Sequence, residues 1–182
     1  SMDSRKLIIN LAPTGMIPVK ADNPNTPLTP GEIADDCACC RAAGASIFHL
    51  HARDEAGLPT YRRERYREII LAVRERCPDA ILCVSTSGRT HKEFEQRSAV
   101  LDLDGDAKPE MASLTLGSMN FPKQASVNDP AMIQALAEKM HDRGIVPELE
   151  IFDFGMVDYA KYLIERNVLR PPFYFNLILG SL

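Results

Sequence analysis

Gly44-Ala45-Ser46-Ile47-Phe48-His49-Leu50-His51-Ala52-Arg53-Asp54 reads as a glycine helix stop followed by a β-strand that turns polar at its far end. Upstream, Thr29-Pro30-Gly31-Glu32 is a capping box with proline at the first helical position, so a helix is expected over 30–43. The strand is expected over 45–50. Side chains two apart on a strand share a face, so His49 and His51 project together while Leu50 turns to the other side.

The same cycle extends in both directions. A strand over 7–12 ends in Pro13-Thr14-Gly15, and the helix over 61–76 leads to a strand over 80–85. A helix over 91–101 precedes a strand over 111–116, and Asp129-Pro130 caps a helix that stops before Gly144. A strand over 146–151, a helix over 156–167 and a strand over 173–179 follow. Alternation of this kind predicts parallel βαβ units, an α/β fold with about six strands and five helices. A barrel and a doubly wound sheet both accommodate it. The long first strand-to-helix loop lacks Gly-x-Gly-x-x-Gly, which argues against a Rossmann-type dinucleotide site. Polar residues stand at the C-terminal ends of many strands: Asn10, His49, His51, Ser85, Thr115, Glu150 and Asn176. That distribution predicts a single (β/α)8 TIM-barrel domain over 1–182. Two further βα units are needed to close such a barrel, and they are expected outside these residues.

Composition narrows the partners. The net charge of −4 provides no basic field for nucleic acid, and no apolar run is long enough to span a membrane. Ser1-Met2 reads as a tag remnant, and the N-terminus shows no secretory apolar core. With five cysteines, this predicts free thiols in the cytoplasm. Cys37, Cys39 and Cys40 do not converge on a helix. Cys37 and Cys40 continue the apolar stripe begun by Ile33, and Cys77 and Cys83 read likewise as small buried hydrophobes.

The chemistry concentrates at the strand ends. His49 and His51 on one face make up two-thirds of a catalytic zinc site, which keeps an open position to polarise a carbonyl oxygen. The alternative is a pair of histidines hydrogen-bonded in a polar barrel mouth. An amidohydrolase would carry the pair on its first strand and lysine or histidine on later ones, which these strands lack. Glu148 and Glu150 share a strand face and need either a cation or hydrogen-bond donors, or else serve in surface ion pairs. Ser85-Thr86-Ser87-Gly88 exposes N–H groups suited to an oxyanion or carboxylate, although an ordinary turn has the same composition. Ser113 and Thr115 share a face of the next strand. His91 and His141 are expected on helix surfaces.

Several of these segments together resemble the β-keto acid cleavage enzyme family, of the 3-keto-5-aminohexanoate cleavage type. The carrying stretches are 10–15, 44–54, Ser85-Thr86-Ser87-Gly88, 108–114, Gly117-Ser118-Met119-Asn120-Phe121 and Val146-Pro147-Glu148-Leu149-Glu150. The resemblance implies a cytoplasmic zinc-dependent TIM barrel, usually a homotetramer, that turns a β-keto acid and acetyl-CoA into acetoacetate and a new CoA thioester. It makes His49 and His51 zinc ligands and Glu150 and Ser85 active-site residues. It makes Ser85 and Ser113 substrate contacts, with Gly88 lending backbone N–H groups; Thr86, Thr115 and Asn10, polar residues at the same strand ends, are expected as further substrate contacts. The family's third metal ligand, with its aspartate and arginine, belongs to a later Arg-x-x-x-Glu-Asp stretch beyond residue 182. Without that stretch, a non-catalytic metal-binding module is the alternative. Where the aminohexanoate enzyme has a glutamate, this chain has Ile17, which disfavours a cationic substrate tail, and nearby Lys20 suits an anionic one.

Overall fold

The computed structural model describes residues 6–180, so the reading of Ser1-Met2 lies outside the described residues. The elements in chain order are β1 (Asn10–Leu11), α1 (Pro30–Ala42), β2 (Ile47–Leu50), α2 (Arg63–Arg76), β3 (Ile81–Val84) and α3 (Phe94–Ser98). They continue with β4 (Met111–Thr115), β5 (Met119–Asn120), β6 (Ala125–Ser126), α4 (Pro130–Asp142), β7 (Val146–Ile151), α5 (Phe154–Glu165) and β8 (Tyr174–Leu177). Six strands form one parallel sheet in the order β1-β2-β3-β4-β7-β8, while β5 and β6 pair antiparallel by themselves. The sheet is that of a partial (β/α)8 barrel.

Its curvature is visible in side-chain reach. Asn10 on β1 donates to Glu148 on β7 over 2.6 Å, although three strands stand between them. In a flat sheet those strands would lie roughly 19 Å apart at about 4.8 Å per step. Only a sheet rolled about a central axis closes that gap.

The period of two along each strand separates an inner from an outer face. Phe48, Leu50, Leu82, Val84, Leu114 and Leu149 face outward and are buried against Ile33, Tyr66, Ile69, Ile70, Val73, Ile133 and Leu136 of the helices. Each such side chain contributes about 1.5–3 kcal/mol on leaving water. The inner face begins apolar, with Ile47, Cys83 and Met111 packed by Val146 and Tyr174. Towards the C-terminal strand ends it becomes polar, with His49, Ser113, Glu148 and Glu150. The helix starts follow the local chemistry. Thr29 and Glu32 complete the capping box of α1, and the Asp129 and Asp153 carboxylates accept from Met132 N and Met156 N.

Several expected boundaries moved. α3 begins at Phe94 because Glu93 and Gln96 cap each other's backbone, and it passes at Ala99 into a 3-10 turn. His91 therefore sits in a loop, edge-on to Tyr61 at 4.7 Å, while His141 lies exposed on α4 as expected. α5 begins two residues before the expected 156, since Asp153 supplies the cap. The β5–β6 hairpin was not anticipated, because strands of two residues carry no periodicity. β1 keeps only two paired residues, and Leu7, Ile8 and Ile9 are exposed along this edge, as are Phe175 and Leu177 along β8. Among the described residues no helix is long and apolar enough to cross a membrane.

Candidate active site at the C-terminal strand ends

His49 and His51 leave β2 on the inner face with their ring centroids 4.9 Å apart. Nδ1 of His49 stands 2.8 Å from Oε1 of Glu148, whose other oxygen accepts from Asn10. A carboxylate accepting at both oxygens leaves His49 Nδ1 as the donor, so in the neutral ring Nε2 carries the free lone pair. Glu148 has no solvent exposure. Burial pushes its carboxyl up, but the bond and charge of His49, with Asn10 and Asn176, outweigh this and hold it below the usual range. Burial likewise pulls His49 down, while Glu148, with a smaller contribution from Glu150, raises it above the ordinary imidazole value. His51 goes the other way: burial, then the His49 and Arg53 charges, keep its ring neutral. Its buried Nδ1 has no hydrogen-bond partner among the described residues.

Glu150 is the second carboxyl of β7. Burial, aided by the Glu148 charge, raises it to about 7 against the opposing pull of His49 and a Ser113 hydrogen bond. Two carboxyls on one strand thus diverge, Glu148 ionised and Glu150 poised near neutrality, which is how a proton-holding group is made from glutamate.

A cavity of about 220 Å³ opens over these residues. It brings together His49, His51, Ser85, Thr86, Ser113, Thr115 and Glu150 from four strand ends. Thr86 is tied to the scaffold, its hydroxyl donating to Ser113 O over 2.6 Å and its N–H to Ser113 Oγ over 3.0 Å. Asn10 and Gly88 are not on the cavity wall. Asn10 reaches the site through Glu148, and Gly88 makes room for Arg97. Ile17 is 59% exposed and also stands off the wall, which Met16 lines instead. Lys20 pairs with Glu32, donates to Thr26 O and stands off the cavity wall.

Arg89, Arg97 and Phe121 also line the cavity, and Arg53 supports its rim. The Arg97 guanidinium is buried and donates to Thr86 O, Val127 O and Asn128 Oδ1. Arg53, 1% exposed, ties Gly15 O, Pro18 O and Gly57 O together and so holds the loop after β1 against the loop after β2. A signal for Arg97 was present. Phe94, Arg97, Ser98 and Leu101 have the spacing of a helix's buried stripe, which places a guanidinium where an apolar residue is expected.

Two donor sets compete for a metal ion. His49, Cys83 and Glu148 present ligand atoms within 4.8 Å of one another. Burial, and then the charges of Glu148 and Glu150, push the Cys83 thiol far up, and neither Cys83 nor Glu148 reaches the cavity. With those two donors off the cavity, that set offers no open position for a substrate. The imidazole pair does fit. His49 has its tautomer set by Glu148, His51 is neutral with an unpartnered nitrogen, and both face the cavity.

The family model for the β-keto acid cleavage enzymes matches residues 6–182. This chain belongs to that family. It is 39% identical over 176 residues to a 3-keto-5-aminohexanoate cleavage enzyme of Fusobacterium nucleatum subsp. nucleatum, covering 96% of this chain and 63% of the relative. It is 34% identical over 173 residues to a 3-oxoadipate:acetyl-CoA acetyltransferase of Cupriavidus necator, covering 95% of this chain and 59% of the relative. The chain thus spans about three-fifths of the length of these relatives. Among solved structures, ObcA with oxaloacetate superposes with a TM-score of 0.78 at 30% identity, covering 86% of this chain and 38% of ObcA. A deoxyribose-phosphate aldolase from Toxoplasma gondii shares the fold alone, at a TM-score of 0.58 and 14% identity over 93% of this chain and 66% of the aldolase.

Proposed function

We propose that this protein is a zinc-dependent β-keto acid cleavage enzyme. The reaction exchanges acyl groups. The R–CO group of R–CO–CH2–COO− passes to the sulfur of CoA, and the acetyl of acetyl-CoA takes its place on the CH2–COO− unit. The products are acetoacetate and R–CO–S–CoA, and atoms and charge balance.

The observation that carries this reading is the His49–Glu148 hydrogen bond beside a neutral His51 on the cavity wall. It prepares two imidazoles as metal ligands where Ser85, Ser113 and Glu150 face the same space. Zinc held there would supply Lewis-acid stabilisation of negative charge on the keto and carboxylate oxygens. Glu150, whose carboxyl burial raises in the metal-free protein, is the group placed to hold a proton against the substrate. Ser85 and Ser113 orient it, and Thr115 narrows the space beside it. A cytoplasmic homotetramer belongs to the same reading and rests on the family resemblance alone.

The test is a panel of β-keto acids given to the zinc-loaded protein with acetyl-CoA, followed by detection of acetoacetate. Product with at least one acid is the expected result. Bound zinc with no product from any acid would favour a metal-binding module without catalysis.

A further inference from the structure

Arg89 stands on the cavity wall with its guanidinium carbon 3.7 Å from the centroid of the Phe121 ring. Its Nε is out of contact with water and has no hydrogen-bond partner. Among the described residues no carboxylate pairs with it, although most of the protein's surface arginines have one. Phe121 in turn meets Phe152 edge-on at 6.1 Å. A guanidinium held over an aromatic face keeps N–H groups to spare, in the planar fork that matches a carboxylate.

The other arginine of the wall shows what an occupied one looks like. Arg97 spends its donors on Thr86 O, Val127 O and Asn128 Oδ1 and has structural work to do. Arg89 has none. An arginine partly desolvated without an acceptor costs free energy unless a ligand supplies one.

We propose that Arg89 is a specificity residue that receives a second anionic group at the far end of the β-keto acid, making the preferred substrate a dicarboxylate. This rests on the reaction given under Proposed function. The near carboxylate and keto group go to the imidazole side of the cavity, and the far carboxylate goes to the Arg89–Phe121 side. The same guanidinium chemistry could instead hold a phosphate of CoA, and the experiment separates the two.

The probes are 3-oxoadipate and 3-oxohexanoate, which have six carbons each and differ at the far end in carboxylate against methyl. Binding of each acid to the zinc-loaded protein is measured by calorimetry, and kcat/KM by acetoacetate release, for wild type, Arg89→Gln and Arg89→Lys. The expected result is tighter binding of 3-oxoadipate by wild type. In Arg89→Gln that preference falls tenfold or more, and Arg89→Lys recovers part of it. The KM for acetyl-CoA stays within twofold throughout. A raised KM for acetyl-CoA with an unchanged ratio of the two acids assigns Arg89 to CoA and overturns the proposal. An equal loss for both acids also overturns it, since the far carboxylate would then not be the group received. If neither acid turns over, the reaction reading fails. The binding ratio still decides the role of Arg89.

Discussion

Nδ1 of His49 lies 2.8 Å from Oε1 of Glu148, and this single bond joins β2 to β7 across the barrel interior. The two residues are 99 positions apart, and β3 and β4 stand between their strands. The bond does two things. It makes a buried carboxylate tolerable, and it turns the free nitrogen of His49 into a metal-ready donor.

Glu148→Gln should therefore weaken zinc binding without removing a ligand. The amide keeps the shape but replaces an ionised acceptor with a neutral one, so ligand basicity falls. Such outer partners of metal-bound histidines are typically worth about 10–100-fold in affinity. Competition with a chromophoric chelator measures it. An affinity within twofold of wild type would show that Glu148 does not tune His49.

Metal content separates the two donor sets. About one zinc per chain is expected in wild type. His49→Ala and His51→Ala should each lose most of it, while Cys83→Ala should retain it. Elemental analysis of the four proteins gives the answer. Full zinc in His51→Ala together with loss in Cys83→Ala would move the metal to the buried His49–Cys83–Glu148 cluster.

Glu150 makes a pH prediction for the metal-free protein. Its folded-state value is raised, from the usual 4.5 to about 7, by burial first. A raised value means that the folded protein keeps the proton longer than the unfolded chain does. The associated stability is fully present below about pH 4.5, declines as pH rises towards 7 and is lost above it. The whole shift corresponds to roughly 3 kcal/mol at most. Urea unfolding at pH 5 and pH 8 should show this decline in wild type relative to Glu150→Gln. Parallel stabilities of the two proteins across that range would refute it.

Gly88→Ala tests the packing under the serine-rich loop. A Cβ there would stand 2.5 Å from Nη1 and 2.7 Å from Cζ of Arg97. A guanidinium is normally flexible, but this one is held by three oxygens and cannot swing away without abandoning them. A loss of about 1–3 kcal/mol is expected from overpacking. The same substitution in an Arg97→Ala background should cost much less. A cost that persists there would locate the strain elsewhere.

Much of this architecture was legible residue by residue. The Thr29–Glu32 capping box, Gly44, Asp129 and the period-two strands declare themselves locally, because caps and pleats are properties of a few adjacent residues. That His49 and His51 share a face of their strand, and Glu148 and Glu150 a face of theirs, follows from the same pleat. Boundaries at α3 and β5–β6 were not legible, since a mutual Glu93–Gln96 cap and a hairpin of two-residue strands leave no periodic trace.

What the sequence determined by itself is the alternation of elements, the face on which each polar residue stands, and the family to which the chain belongs. The tertiary structure decided which faces meet. It gave Glu148 to His49 and left Glu150 raised, turned Lys20 to Glu32, placed Arg97 under Gly88, and left Arg89 on Phe121 without a counter-charge among the described residues. The reason is the rolling of the sheet. Local rules operate over a few residues, whereas pairing across a barrel depends on curvature summed over every intervening strand.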